Sequence, residues 1–211
     1  LLTENNKGVN KNMRTSRLRT LDLTVAAMFV ALMAVGANIT SWAPFLQVAG
    51  IPLSMQPFFS ILAGLLLGSR LGALSMIVYT LAGLMGLPVF AQFKSGIGVI
   101  MGPTGGFLLS FIVVAYVAGK IVEQKENPTF GTFLIAALTG IVLNYLIGTH
   151  YMYFAVNNWI GGNMSYIAAW KVMMWFAVKD LVFTILEAVL APRLYRAITR
   201  SSLHQARNRA A

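Results

Sequence analysis

Apolar and polar positions fall in long blocks along this chain, not in short-period stripes. Residues 1–20 are polar and carry Lys7, Lys11, Arg14, Arg17 and Arg19. Apolar blocks then recur at about 22–39, 56–68, 71–87, 103–122, 130–156 and 180–192. Long runs with few charges predict membrane-crossing helices. Turn signals separate them: Pro44 and Pro52 within 40–55, Ser69–Arg70, the charged EQKENPT at 123–129, and NNWIGGN at 157–163. Pro103 and Thr104 suit the first turn and cap of the fourth span. Residues 164–178, with Trp170 and Trp175, read as a short amphipathic interfacial helix. The expectation is an all-α integral membrane protein: one six-span domain over 21–200, a basic segment at 1–20 and a basic tail at 201–211. Met13 is a candidate native start, and no cleavable signal segment follows it.

One stretch fits neither block type. Residues 86–107, GLPVFAQFKSGIGVIMGPTGGF, lie between two apolar spans but are broken by Gly, Pro, Gln92 and Lys94. Seven glycines, at 83, 86, 96, 98, 102, 105 and 106, give freedom for positive φ and close backbone approach. Irregular backbone beside lipid must be packed in protein or line a wet cavity. The stretch therefore reads as a folded re-entrant or capping loop, against the plainer alternative of a connecting loop.

Composition supports the membrane reading. Of 211 residues, 57% are hydrophobic and 10% charged, and the mean hydropathy is +0.72. The net charge of +10 reads as membrane-flanking basic residues and not as a nucleic-acid surface. With a cytoplasmic N-terminus, thirteen of the sixteen Lys and Arg fall on inner segments, which sets both termini inside. There is no cysteine, and His150 and His204 lie too far apart to suggest a metal site. No nucleotide-binding loop, Ser-His-Asp set or carboxylate cluster supports catalysis.

The three outer lysines are the exceptions. Lys94 lies in the glycine-rich stretch, while Lys171 and Lys179 flank the start of the sixth span beside Asp180. An Asp at the centre of a span costs roughly 2.5–3.5 kcal/mol and is a functional candidate; its plainer reading is a helix cap paired with Lys179. Each lysine reads equally as solvated surface or ligand contact. Asn144, mid-span, needs a hydrogen-bond partner. Tyr79, Gln92 and Tyr151 offer neutral hydrogen bonds, and Trp42, Phe45, Phe90 and Phe93 apolar walls. Few polar groups among aromatics describe an outward-facing small-molecule pocket. His150 reads as structural; Glu187 reads as a proton site or an inner-end partner. Ala27, Ala31 and Ala34 form a small-residue strip on the first span that lets another helix approach.

The run PLSMQPFFSILAGLLLGSRLGALSMIVYTLAGLMGLPVFA at 52–91, followed by GPTGGFLLSF at 102–111, resembles the BioY family. These are the biotin-specific substrate-binding (S) components of energy-coupling-factor (ECF) transporters. ALMAVGANI at 31–39, YLIG at 145–148 and FAVKDL at 176–181 extend the likeness over most of residues 22–195. The resemblance implies a six-helix S-component bundle in the cytoplasmic membrane of a prokaryote. It implies no catalytic activity and no cofactor. Biotin is expected between loops 1 and 3 and the outer ends of spans 4 to 6. The implied partners are a transmembrane coupling protein and two cytoplasmic ATPases, with Ala27 and Ala31 matching the docking face. Asp180 matches a family Asp, but Phe183 stands where many members carry Lys. The cation for the biotin carboxylate then falls to Lys94, Lys171 or Lys179, or the span-4 N–H groups act alone. The competing readings are an S component for riboflavin or thiamine, a self-sufficient biotin carrier, and a small membrane enzyme.

Overall fold

A computed structural model describes the backbone of residues 20–42, 47–48 and 51–208, and the side chains of 22–41 and 53–198. Most of the basic N-terminal segment, Pro44, Phe45 and the last residues of the tail lie outside the described residues, as do the side chains of Trp42 and His204. The helices are α1 (Thr20–Asn38), α2 (Gln56–Leu84), the short α3 (Ile97–Met101), α4 (Gly105–Glu123), α5 (Phe130–Asn158) and α6 (Tyr166–Asn208). A two-residue ladder pairs β1 (Gln47–Val48) with β2 (Ile51–Pro52) before α2. Among the described residues, four helical segments, Asp22–Ser41, Gln56–Leu84, Gly105–Glu123 and Phe130–Asn158, are long and apolar enough to cross a membrane.

α2 is two antiparallel arms joined at an elbow. In a straight helix Gln56 and Tyr79 would stand about 35 Å apart; here the Gln56 amide donates to the Tyr79 hydroxyl at 2.9 Å. The elbow is Gly68, at φ 80° and ψ 178°, a conformation that excludes side chains with a Cβ. Glu123, at the end of α4, secures it: the Ser69 N–H and hydroxyl each donate to its carboxylate at 2.7 Å. A carboxylate on the free N–H groups that open the second arm is favourable.

α2 packs chiefly on α4. Gly64 lies against the Ala115 backbone and Gly119 against Gly68–Ser69, too close for any Cβ between them. Small residues four apart on both helices thus let the backbones touch. The core is filled chiefly from α1, α2, α4 and α5: Phe29 and Met33, Ile61 and Leu65, Val114, Phe133 and Met152 are all essentially inaccessible. The outer faces are equally apolar, with Val35, Val142 and Val182 more than half exposed. That surface suits lipid, not water.

α6 corrects the expectation for 164–192. The supposed interfacial helix and sixth span are one 43-residue helix, with Pro192 inside it. Lys179, Asp180 and Glu187 on this helix interrupt the apolar composition that marks the other spans. Near α6's basic end Tyr195 stacks edge-on to Phe133, and the α2 elbow meets Glu123. Arg70, Lys120, Lys125, Arg193 and Arg196 therefore gather at one end of the bundle.

Candidate functional site

The opposite end holds a cavity of about 580 Å³. Its walls come from the start of α2, the loop before α3, the first turns of α4, the middle of α5 and the upper part of α6. This volume falls within the range of small-molecule sites. Phe90, Phe107, Phe111, Met173 and Phe176 make it largely apolar.

Two polar clusters face it. On α6, the Asp180 carboxylate accepts the Lys179 ammonium at 2.6 Å and the Tyr145 hydroxyl at 2.7 Å. Lys179 also donates to the Ser54 carbonyl just before α2, and its ammonium stands 5.7 Å from the Phe183 ring centroid. Asp180 is thus a buried mid-helix residue and not a cap. On α5, Asn144 is buried, and its side-chain oxygen accepts the Ser110 hydroxyl at 2.8 Å. The same hydroxyl lies 2.7 Å from the Phe107 carbonyl, so its one proton serves two acceptors and the bond does not by itself orient the Asn144 amide.

The loop wall is built by anchoring, not by glycine freedom at its centre. Phe90 is buried edge-on to Tyr79, over Gly83, where any Cβ would overlap its ring. The Tyr79 hydroxyl donates to the Val89 carbonyl at 2.9 Å, and the Gly96 N–H donates to the Gly83 carbonyl at 2.8 Å. Between these anchors Gln92 (φ 62°) and Phe93 (φ 54°) are left-handed without being glycine. Each such residue costs about 1–2 kcal/mol, so the surrounding contacts must hold the turn. Further on, Tyr151 of α5 and Trp159 just beyond its end donate to the carbonyls of Ile100 and Met101, which stitches α3 onto the bundle.

Of the residues singled out in the sequence, Asp180, Lys179, Gln92, Lys94, Phe90, Phe93 and Asn144 line one cavity. Tyr79 and Tyr151 do not: their hydroxyls are directed to loop carbonyls, so they shape the wall from behind. Lys171 is exposed and outside the lining. The Trp42 side chain lies outside the described residues. Thr104 occupies the cap position of α4 but makes no side-chain capping bond. His150 is exposed, with its ring nitrogens 2.6 Å from the Leu146 carbonyl and 3.0 Å from the Tyr166 hydroxyl. Glu187 is fully buried and outside the cavity lining, and neither carboxylate oxygen has a hydrogen-bond partner among the described residues. Ser54, Gln56, Ser110 and Tyr145 were not anticipated. Tyr145 had a signal, because it adjoins Asn144 on a helix that must bury that amide.

An all-helical membrane bundle with a ligand-sized chamber at one end defines a small-molecule-handling membrane protein. The chain belongs to the BioY family, whose model matches residues 10–200. It is 53% identical over 190 residues to a protein of Bacillus subtilis (strain 168) named "Putative biotin transporter BioYB", covering 90% of this chain and 95% of that one. It is 36% identical over 173 residues to the "Biotin transporter BioY" of Thermotoga maritima, covering 82% and 94%. The fold is shared with a crystal structure of "the S-component for biotin from an ECF-type ABC transporter", at a TM-score of 0.70, 22% identity and coverage of 83% and 91%.

Proposed function

We propose that this chain is the substrate-capturing subunit of a biotin uptake system, with transport energy supplied by separate coupling and ATPase chains. The observation that carries this reading is the cavity, where Asp180, Tyr145 and Asn144 converge among aromatic walls. Membership of a family whose relatives are named biotin transporters supports it. Biotin has a ureido head with two N–H donors and one acceptor, an apolar bicycle and a carboxylate. Asp180 suits the N–H donors, the Asn144 NH2 suits the ureido oxygen, and Phe90, Phe107 and Phe176 suit the bicycle. The ligand carboxylate belongs at the mouth. It would be repelled by Asp180, whereas Lys94 stands exposed on the loop as a partner for it.

The arms of α2 count as two spans in this reading, which gives six in all. The basic end then faces the cytoplasm with both termini, and the cavity faces outward. The exposed Ala27 and Ala31 on α1 give a coupling protein a close approach. Titration of biotin onto the purified protein tests the proposal. Binding tighter than about 1 μM, uncontested by riboflavin or thiamine, is expected; no binding at that level, or displacement by another vitamin, rejects it. Uptake that is lost in cells without the coupling chains separates this reading from a self-sufficient carrier.

A further inference from the structure

We propose that Asn38, at the C-terminal end of α1, is a positioning residue for ligand retention: its side-chain oxygen pins the Phe93 N–H and so holds the cavity loop in its closed, left-handed form. The inference rests on the biotin reading above and adds to it a residue that lines no part of the cavity. The Phe93 N–H donates to Asn38 Oδ1 at 2.6 Å, across 55 positions of sequence. The Asn38 Nδ2 donates to the Ala34 carbonyl at 2.9 Å. A flipped amide would face donor to donor and acceptor to acceptor, so these two bonds fix its orientation. Asn38 is also buried at 4% exposure, where water does not replace a lost partner.

The bond falls where the loop most needs support. The Tyr79–Val89 and Gly96–Gly83 bonds secure the ends of the segment, and the Phe90 N–H closes its turn on the Lys94 carbonyl at 3.1 Å; the Asn38 bond ties that turn to α1. The middle of the segment holds two successive left-handed residues, Gln92 and Phe93, a conformation that such residues leave readily when unsupported. That middle also carries the wall: Ala91, Gln92, Phe93 and Lys94 all line the cavity. Losing the pin frees this turn from α1 and so shifts several wall residues together, although Asn38 itself is not among them. The pin further joins the loop to α1, the helix whose exposed alanines are proposed above to meet the coupling protein.

The test compares Asn38→Leu, of similar size but with no acceptor, with Asn38→Asp, which keeps one. Biotin affinity, biotin dissociation rate and amide hydrogen exchange over residues 87–96 are measured in the full-length protein. Asn38→Leu is expected to bind about tenfold more weakly, equivalent to about one lost buried hydrogen bond. The loss should be in dissociation rate, with faster exchange over 87–96 and unchanged exchange in α4. Asn38→Asp keeps the acceptor for Phe93 but loses the donor to the Ala34 carbonyl, so it should lose clearly less affinity than Asn38→Leu. Parental affinity and exchange in Asn38→Leu overturn the proposal, as does an equal loss of affinity in both variants. If Asn38→Leu does not fold, a folded Asn38→Asp that has lost tenfold in affinity overturns it and one that binds like the parent upholds it. Failure of the parent protein to bind biotin rejects the functional reading instead, and is seen before any variant is made.

Discussion

Asp180→Asn is the most direct perturbation of the site, because it removes a charge and leaves the side chain's shape unchanged. In the parent, Oδ1 receives the Lys179 ammonium at 2.6 Å and Oδ2 the Tyr145 hydroxyl at 2.7 Å. The amide keeps its oxygen for Lys179 and turns its NH2 to the Tyr145 oxygen, which reverses that bond, and neither contact is then made to a carboxylate. A ligand N–H bound to the carboxylate loses a charge-assisted hydrogen bond, of about 1.5–3 kcal/mol net. At about 1.4 kcal/mol per decade, Kd rises about 10- to 150-fold. The stability cost should be smaller. Lys179 is 21% exposed and keeps the Ser54 carbonyl, so its ammonium is not stranded. Lys179→Met is the informative counterpart: it leaves a buried carboxylate with only the Tyr145 hydroxyl, and unpaired buried charge is the costlier defect. The unliganded melting temperature should therefore fall more in Lys179→Met than in Asp180→Asn, and the double variant should recover part of that loss. Calorimetric titration with biotin and thermal melting of detergent-solubilised protein read the two effects separately. A folded Asp180→Asn whose Kd lies within threefold of the parent's refutes a ligand role for the carboxylate. A double variant no more stable than Lys179→Met refutes the pairing argument.

Three further outcomes follow from the packing. Gly83→Ala should drive the Phe90 ring from its slot; overpacking of this kind costs about 1–3 kcal/mol, with biotin affinity and melting temperature falling together, and parental values for both would contradict the slot. Glu123→Gln removes the charge from both Ser69 bonds at the elbow; about 1 kcal/mol of stability should be lost while biotin affinity, measured at the far end of the bundle, stays unchanged. Ala27→Trp or Ala31→Trp places a large side chain on the exposed face of α1; binding by purified protein should persist while cellular uptake is lost, and uptake at the parental rate would show that the coupling chain docks elsewhere.

The helices were legible because lipid leaves the sequence little choice: a span must be apolar, and its breaks are marked by Gly, Pro and charge. The same rule misled at α6. Lys171, Lys179 and Asp180 read as the boundary of a span, yet Lys179 and Asp180 neutralise one another against Ser54 and Tyr145, and the helix runs through them. Hydropathy registers each charge alone and cannot register the pair. The glycine-rich stretch was legible as a folded structure but not in its detail. Positive φ falls at Gly86 and Gly96, and then at Gln92 and Phe93, which carry no local signal. Tyr79 and Tyr151 show a second limit: a hydroxyl near a cavity is as readily directed at a loop carbonyl as at a ligand, and only the tertiary fold separates the two.

The bonds already made among the cavity's own residues also constrain what sets affinity. Its buried polar groups Asp180 and Asn144 are already paired, the first with Lys179 and Tyr145 and the second with Ser110, so the apolar bundle tolerates them. A ligand must exchange with or share these bonds, which limits its net gain from each to about 1–3 kcal/mol. The larger share of affinity must then come from covering the aromatic walls and from a loop already held in its binding shape, since rigid walls lower the ordering cost of association. The Gly83 slot, the Tyr79–Val89 bond and Asn38 are therefore tied to affinity as closely as the groups that face the cavity. Substitutions behind the loop should rival those in front of it, a pattern that a site governed by direct polar contacts would not produce.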